Sequence, residues 1–137
     1  MVGILIISHY TLAESLKETV AMIIGKRDNV EAIAVLKDDS VELFAEKLKK
    51  AVNGLDKGEG VMILADMFGG TPSNVSLSLY GNDEKVQIIT GFNLPLVIEA
   101  IMHSANKNLD ELAKILMEKR DKTIVDAKAI LRKSKVQ

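Results

Sequence analysis

The residues of this chain able to do chemistry are few, and they recur in similar settings. His9 follows the apolar run ILII at positions 4–7, Asp66 follows VMILA at 61–65, and Gly69, Gly70, Thr71 and Pro72 come directly after. At neutral pH an imidazole offers one ring nitrogen as a nucleophile, provided the other nitrogen carries the proton. A carboxylate that accepts a hydrogen bond from that second nitrogen fixes the choice, which is the role expected of Asp66 toward His9. A turn of small residues opening a helix presents backbone N–H groups and the positive end of the helix dipole to an anion. Nucleophile, orienting acid and anion-receiving turn together point to a phosphoryl group carried on His9. Taken singly, each is an ordinary turn or cap signal.

The elements that must hold these residues are legible from periodicity. Residues 2–7 form a short aliphatic run, the signature of a strand buried on both faces, and Leu12, Leu16, Val20, Ile23 and Ile24 then recur at helical spacing. Thr11 and Glu14 are spaced as a capping box for that helix. A second strand is expected at 31–36, more polar at its flanks and so nearer the sheet edge. A helix follows, capped by Asp39 with Glu42 and carrying Val41, Phe44, Ala45, Leu48 and Val52 on one face. Residues 37–40 (KDDS) are read as a solvated turn and cap rather than a metal site. Strands at 61–65 and 86–90 each run into a glycine-bearing turn and a new helix, the first with Thr71 at the N-cap and Pro72 after it, the second starting around Leu94 and Pro95. Asn108 and Glu111 cap a last helix, and residues 123–131 remain open between an edge strand and more helix.

Alternation of strand and helix predicts an α/β fold, a doubly wound, mostly parallel sheet with helices on both faces. Such crossovers put the carboxyl ends of all strands on one edge, where ligands bind in open α/β sheets. His9, Asp66, residues 69–74 and residues 91–93 are therefore expected there together. His103 lies late in the helix that starts near Leu94 and is expected to act as a favourable charge at its carboxyl end.

Composition narrows the function. The 137 residues suit one domain, and a net charge of -1 with 27% charged residues gives no field for nucleic acid or an anionic membrane. The absence of cysteine excludes disulfides, thiolate metal sites and thiol catalysis. The N-terminal apolar run is too short to span a bilayer and lacks the features of a secretion signal, so a cytoplasmic protein is expected. The chain has no nucleotide-binding glycine motif and no lysine at residues 69–74, so no bound nucleotide is expected, and no cluster of carboxylates joins the site, so no metal is expected; no cofactor is expected. Ser8 and Tyr10, not cations, flank His9, which favours holding and passing a phosphoryl group over hydrolysing it.

The motifs GILIISHYTLAESL, ILADMFGGTPSNVSL and TGFNLPLVIEA resemble the IIA component of the mannose family of the bacterial phosphoenolpyruvate-dependent sugar phosphotransferase system, and the resemblance spans about residues 2–131. The resemblance implies that His9 is transiently phosphorylated by the histidine carrier protein HPr and passes the group to a IIB component. It implies that Asp66 pairs with the histidine and that Gly70, Thr71 and Pro72 form the loop beside the phosphoryl group. Thr71 stands where some relatives carry serine, and the hydroxyl is kept. Also implied are a homodimer, indirect association with membrane IIC and IID components, and an antiparallel C-terminal strand exchanged between subunits, for which residues 123–131 are the candidate. A domain over 1–131 with a tail at 132–137 is expected, and IIB as a separate polypeptide. The phosphotransfer subunit of the dihydroxyacetone kinase system, with a different glycine-rich loop, and a flavin- or nucleotide-binding module on the same scaffold are the alternatives.

Overall fold

The short aliphatic runs become the centre of the molecule. In the computed structural model, which describes residues 1–136, β1 (Gly3–His9), β2 (Val30–Val35), β3 (Val61–Ala65) and β4 (Val86–Thr90) form one parallel sheet in the order β2-β1-β3-β4. β1 and β3 are central and buried along almost their whole length, while β2 and β4 are the half-buried edges. The placement of the more polar second strand at an edge agrees with the sequence. His9 pairs with Val35 and Ile7 with Ala65, so the carboxyl ends of β1, β2 and β3 finish nearly level.

Strand alternation divides the core in two. Ile4, Ile6, Met62 and Leu64 point to one face, packed against α1 (Leu12–Ile24), α4 (Leu94–His103) and α5 (Leu109–Lys119). Leu5, Ile7, Ile63 and Ala65 point to the other, against α2 (Val41–Leu55) and α3 (Thr71–Tyr80). Each fully buried leucine or isoleucine contributes about 1.5–3 kcal/mol by leaving water. Both central strands carry such residues on both faces, so the chain is held most firmly just before His9 and Asp66.

The helix starts differ in part from those expected. At α5 both halves of the Asn108 and Glu111 capping box form. At α1 Thr11 makes no capping bond; the buried Ser8 hydroxyl accepts the Ala13 N–H at 2.7 Å instead. Ser40 rather than Asp39 caps α2, accepting from the Leu43 N–H at 3.0 Å. Gly70 rather than Thr71 is the N-cap of α3, and Thr71 and Pro72 are its first two residues. Each cap is set by which residue the turn leaves in the right conformation, not by side-chain type alone.

The C-terminal segment corrects an expectation. Among the described residues 123–131 make no strand: a 3-10 turn (Arg120–Lys122) leads into α6 (Ala127–Val136), whose first turn is capped by Asp126 through the Ala129 N–H at 3.0 Å. A strand needs a partner edge, whereas the spacing of Ala127, Ile130 and Leu131 satisfies the backbone locally as a helix. Ile124, Val125, Ile130 and Leu131 are left exposed. The expected boundary after residue 131 falls within α6. No helix among the described residues is long and apolar enough to cross a membrane.

Candidate active site

Strand order decides where a site can form. From β1 the chain runs to β2 on one side and later to β3 on the other, so the point where the topology reverses lies between the carboxyl ends of β1 and β3. His9 is the last residue of β1, and Asp66 directly follows β3. They face each other across that crevice although 57 positions apart.

Three hydrogen bonds lock the Asp66 carboxylate. Oδ2 accepts the backbone N–H of His9 at 2.9 Å and lies 2.8 Å from His9 Nδ1, and Oδ1 accepts the Met67 N–H at 2.9 Å. The Asp66 N–H in turn donates to the Ile7 carbonyl at 3.2 Å, tying the acid to the strand that carries the histidine. Both carboxylate oxygens act as acceptors from amides, so Nδ1 is assigned as the protonated nitrogen and Nε2 keeps its lone pair. The Asp66 side chain is 11% exposed and that of His9 is 47% exposed. The acid is therefore shielded and the outer edge of the ring open.

The turn at the histidine is unusual as well. Tyr10 has φ 54°, the left-handed region that non-glycine residues rarely enter. Ser8 sits beneath it, donating to the Tyr10 carbonyl at 3.3 Å while accepting from Ala13. The Tyr10 N–H donates to the Val35 carbonyl at 2.9 Å, which pins the turn to β2. These bonds bend the chain away immediately after His9, leaving its ring standing at the rim.

Gly69, Gly70, Thr71 and Pro72 fall on the same rim with separate parts to play. Gly69 has φ 95°, which permits the turn, but its N–H is already committed to the Ser73 hydroxyl at 3.0 Å. Gly70 has ordinary dihedrals; its requirement is space, because a Cβ there would stand 2.5 Å from His9 Cε1 and 3.0 Å from Nε2. Its own N–H and that of Thr71 have no partner among the described residues, so the amides open to an anion are those at 70 and 71. Pro72 is buried and rigidifies the first turn of α3. Thr71 lines an open depression of ≈ 340 Å³ with His9, Tyr10, Val35, Leu36, Lys37, Asp39 and Val41.

Residues 91–93 reach the same sheet edge but serve the fold. The Gly91 N–H donates to the Ala65 carbonyl at 3.0 Å, and Asn93 caps α4 while its amide donates to Thr123 Oγ1 at 3.0 Å. His103 ends α4, 3.1 Å from Glu99, which also holds Lys119 at 3.1 Å; it is remote from the crevice and has the helix-end position expected. The sequence reading of 37–40 as solvated turn overlooked that this turn lies beside His9. Nothing local signals it, because the neighbourhood is created by β2 pairing with β1.

An open parallel α/β scaffold that presents an acid-paired histidine beside a helix N-terminus at its switch point defines a class: α/β proteins with a site at the carboxyl edge of the sheet. Comparison with known proteins narrows the class to one family. The family model described as "PTS system fructose IIA component" matches residues 3–117. The chain is 31% identical over 112 residues to the fructose-specific EIIA component of the phosphotransferase system of Bacillus subtilis, covering 80% of this chain and 77% of that one. It is 30% identical over 118 residues to the mannose-specific EIIAB component of Escherichia coli, covering 85% of this chain and 36% of that longer protein. Among solved structures, an EIIA component from Streptococcus agalactiae superposes with a TM-score of 0.85 at 25% identity, over 94% of this chain and 99% of that one. A IIA protein associated with the fucose utilization operon of Streptococcus pneumoniae gives 0.81 at 32% identity, over 94% and 95%. The chain belongs to the fructose and mannose IIA family of the sugar phosphotransferase system.

Proposed function

We propose that this protein is a phosphoryl carrier in which His9 Nε2 accepts the group from phospho-HPr and passes it to a IIB component during coupled sugar uptake and phosphorylation. One observation carries the proposal: a single carboxylate oxygen of Asp66 engages both the backbone N–H and Nδ1 of His9, so the ring is aimed and, in its neutral form, its outer nitrogen carries the lone pair. In the step, the lone pair of Nε2 forms the new N–P bond as the bond between phosphorus and the donor's ring nitrogen breaks. The donor nitrogen recovers its electron pair, so no third reactant is needed. The N–H groups of Gly70 and Thr71 and the amino end of α3 receive the phosphoryl oxygens, with the Thr71 hydroxyl beside them.

The rim suits a protein partner. Tyr10, Leu12, Met67 and Phe68 are all more than half exposed and lie on the segments that frame His9, an apolar collar of the kind that partner proteins cover transiently. The carrier acts in the cytoplasm as a homodimer and meets the IIC and IID membrane components only through IIB. The test incubates the full chain with phosphoenolpyruvate, Enzyme I and HPr and maps base-stable, acid-labile phosphate by peptide mass. Label on His9 that His9→Gln abolishes is expected; label on His103, or label surviving in His9→Gln, would refute the assignment.

A further inference from the structure

The sequence next to His9 carries no positive charge, but the fold delivers one. Pairing of β2 with β1 sets Val35 opposite His9, and the turn that follows β2 is closed by the Asp39 N–H donating to the Leu36 carbonyl at 3.0 Å and by the Leu36 N–H donating to Asp39 Oδ2 at 2.9 Å. Lys37 stands within this fixed turn. It lines the same ≈ 340 Å³ depression as His9 and Thr71, and no other lysine or arginine among the described residues does so. Its charge is also unclaimed. Asp39, two positions on, is occupied by the Leu36 amide and by Lys47 Nζ at 3.0 Å, and among the described residues no carboxylate lies within ion-pair distance of the Lys37 ammonium.

We propose that Lys37 is the electrostatic counterpart of the phosphoryl group on His9, a positioning residue that favours the doubly charged form of the group and draws in the phosphorylated donor. The inference rests on the assignment of His9 as the phosphoryl carrier. A phosphoryl group titrates near neutrality, and a cation close by stabilises the dianion and lowers its midpoint. The other charged or titratable groups at the crevice are Asp66 from the end of β3, Asp39 from the same turn as Lys37 with Lys47 of α2 paired to it at 3.0 Å, and Tyr10 from the β1–α1 turn; Thr71 from α3 is neutral. The two carboxylates would raise the midpoint, which leaves Lys37 as the lining side chain able to lower it. Lys37 and His9 line one open, solvated depression, so Coulomb attraction amounts to a midpoint shift of a fraction of a pH unit and an effect on transfer of a few-fold, both weakened by salt.

The test is a ³¹P NMR titration of the phosphohistidine on the full chain, loaded with phosphoenolpyruvate, Enzyme I and HPr, for wild type, Lys37→Gln, Lys37→Glu, Lys37→Arg and Lys50→Gln. Lys50 serves as control because it lines a separate groove with Asp28 and Gly54. Lys37→Gln is expected to raise the midpoint, Lys37→Glu to raise it about twice as far, and Lys37→Arg and Lys50→Gln to leave it in place. Wild-type midpoints in Lys37→Gln and Lys37→Glu, or an equal shift in Lys50→Gln, would overturn the role of Lys37 while leaving His9 as the carrier. No phosphohistidine signal in the wild type would overturn both.

Discussion

Gly70→Ala probes the tightest contact at the candidate site. The new methyl group would sit 2.5 Å from His9 Cε1, 3.0 Å from Nε2 and 3.6 Å from Met67 Cγ. Carbon atoms pack at about 3.5–4.0 Å, so ring or loop must give by roughly 1 Å. Neither is free to do so. The ring is held at 2.8 Å by Asp66, and the loop by the Gly69 bond to Ser73 at 3.0 Å and the Asn74 N–H to the Gly70 carbonyl at 2.9 Å. A ring pushed outward by about 1 Å exceeds hydrogen-bond distance to Asp66 and loses the interaction that fixes its tautomer. Misplacement of a reacting group by that amount costs on the order of 10²-fold in rate. The fold should survive, since Gly70 has φ -89° and ψ 173°, an extended conformation open to alanine, and the weaker N-cap costs under about 1 kcal/mol. Rapid-quench transfer from phospho-HPr, with thermal melts of the same preparations, measures both quantities. A folded Gly70→Ala protein transferring at the wild-type rate would show that close approach of the loop does not position the histidine.

Asp66→Asn retains shape but leaves one acceptor oxygen for donors on both sides, since Oδ2 takes the His9 N–H and Nδ1 and Oδ1 takes the Met67 N–H; one side then faces an amide N–H, the negative charge is gone, and the hold on the ring loosens. Transfer should fall about ten- to a hundredfold, with ¹⁵N shifts of the imidazole reporting a less biased tautomer, and an unchanged rate would reduce Asp66 to a turn residue. Asp56 gives a pH prediction. Its carboxylate accepts from the Gly58 and Gly60 amides at 2.9 and 3.2 Å, which hold its pKa below the ordinary 3.8. A folded-state pKa below the unfolded one gives stability that is present above the unfolded value and lost as the pH falls through the folded value. Urea melts should therefore show Asp56→Asn less stable than wild type at neutral pH, the gap closing below about pH 4; a gap constant into acid would refute the assignment.

Much of the scaffold was readable because its signals are local. Residues 61–65 could hardly be anything but a buried strand, and Asn108 with Glu111 carries both halves of its cap within four residues. The misplaced caps show the limit. Thr11 has the right spacing to Glu14, yet the buried hydroxyl of Ser8 reaches the helix first, a result of how the chain turns after β1. Residues 123–131 were ambiguous for the same reason, since their apolar side chains fit a strand only if an edge is offered and otherwise take the helix that satisfies their own backbone.

By itself the sequence determined that His9, Asp66 and the turn from Gly69 to Pro72 would lie at the carboxyl ends of parallel strands, because aliphatic runs and helical spacing are written residue by residue. Only the tertiary structure decided that β3 lies beside β1, so that Asp66 meets the histidine, and that β2 lies on the other side, so that Lys37 lines the same depression. Strand order follows from packing two helical layers over one sheet, a balance summed over the whole core that no local pattern encodes.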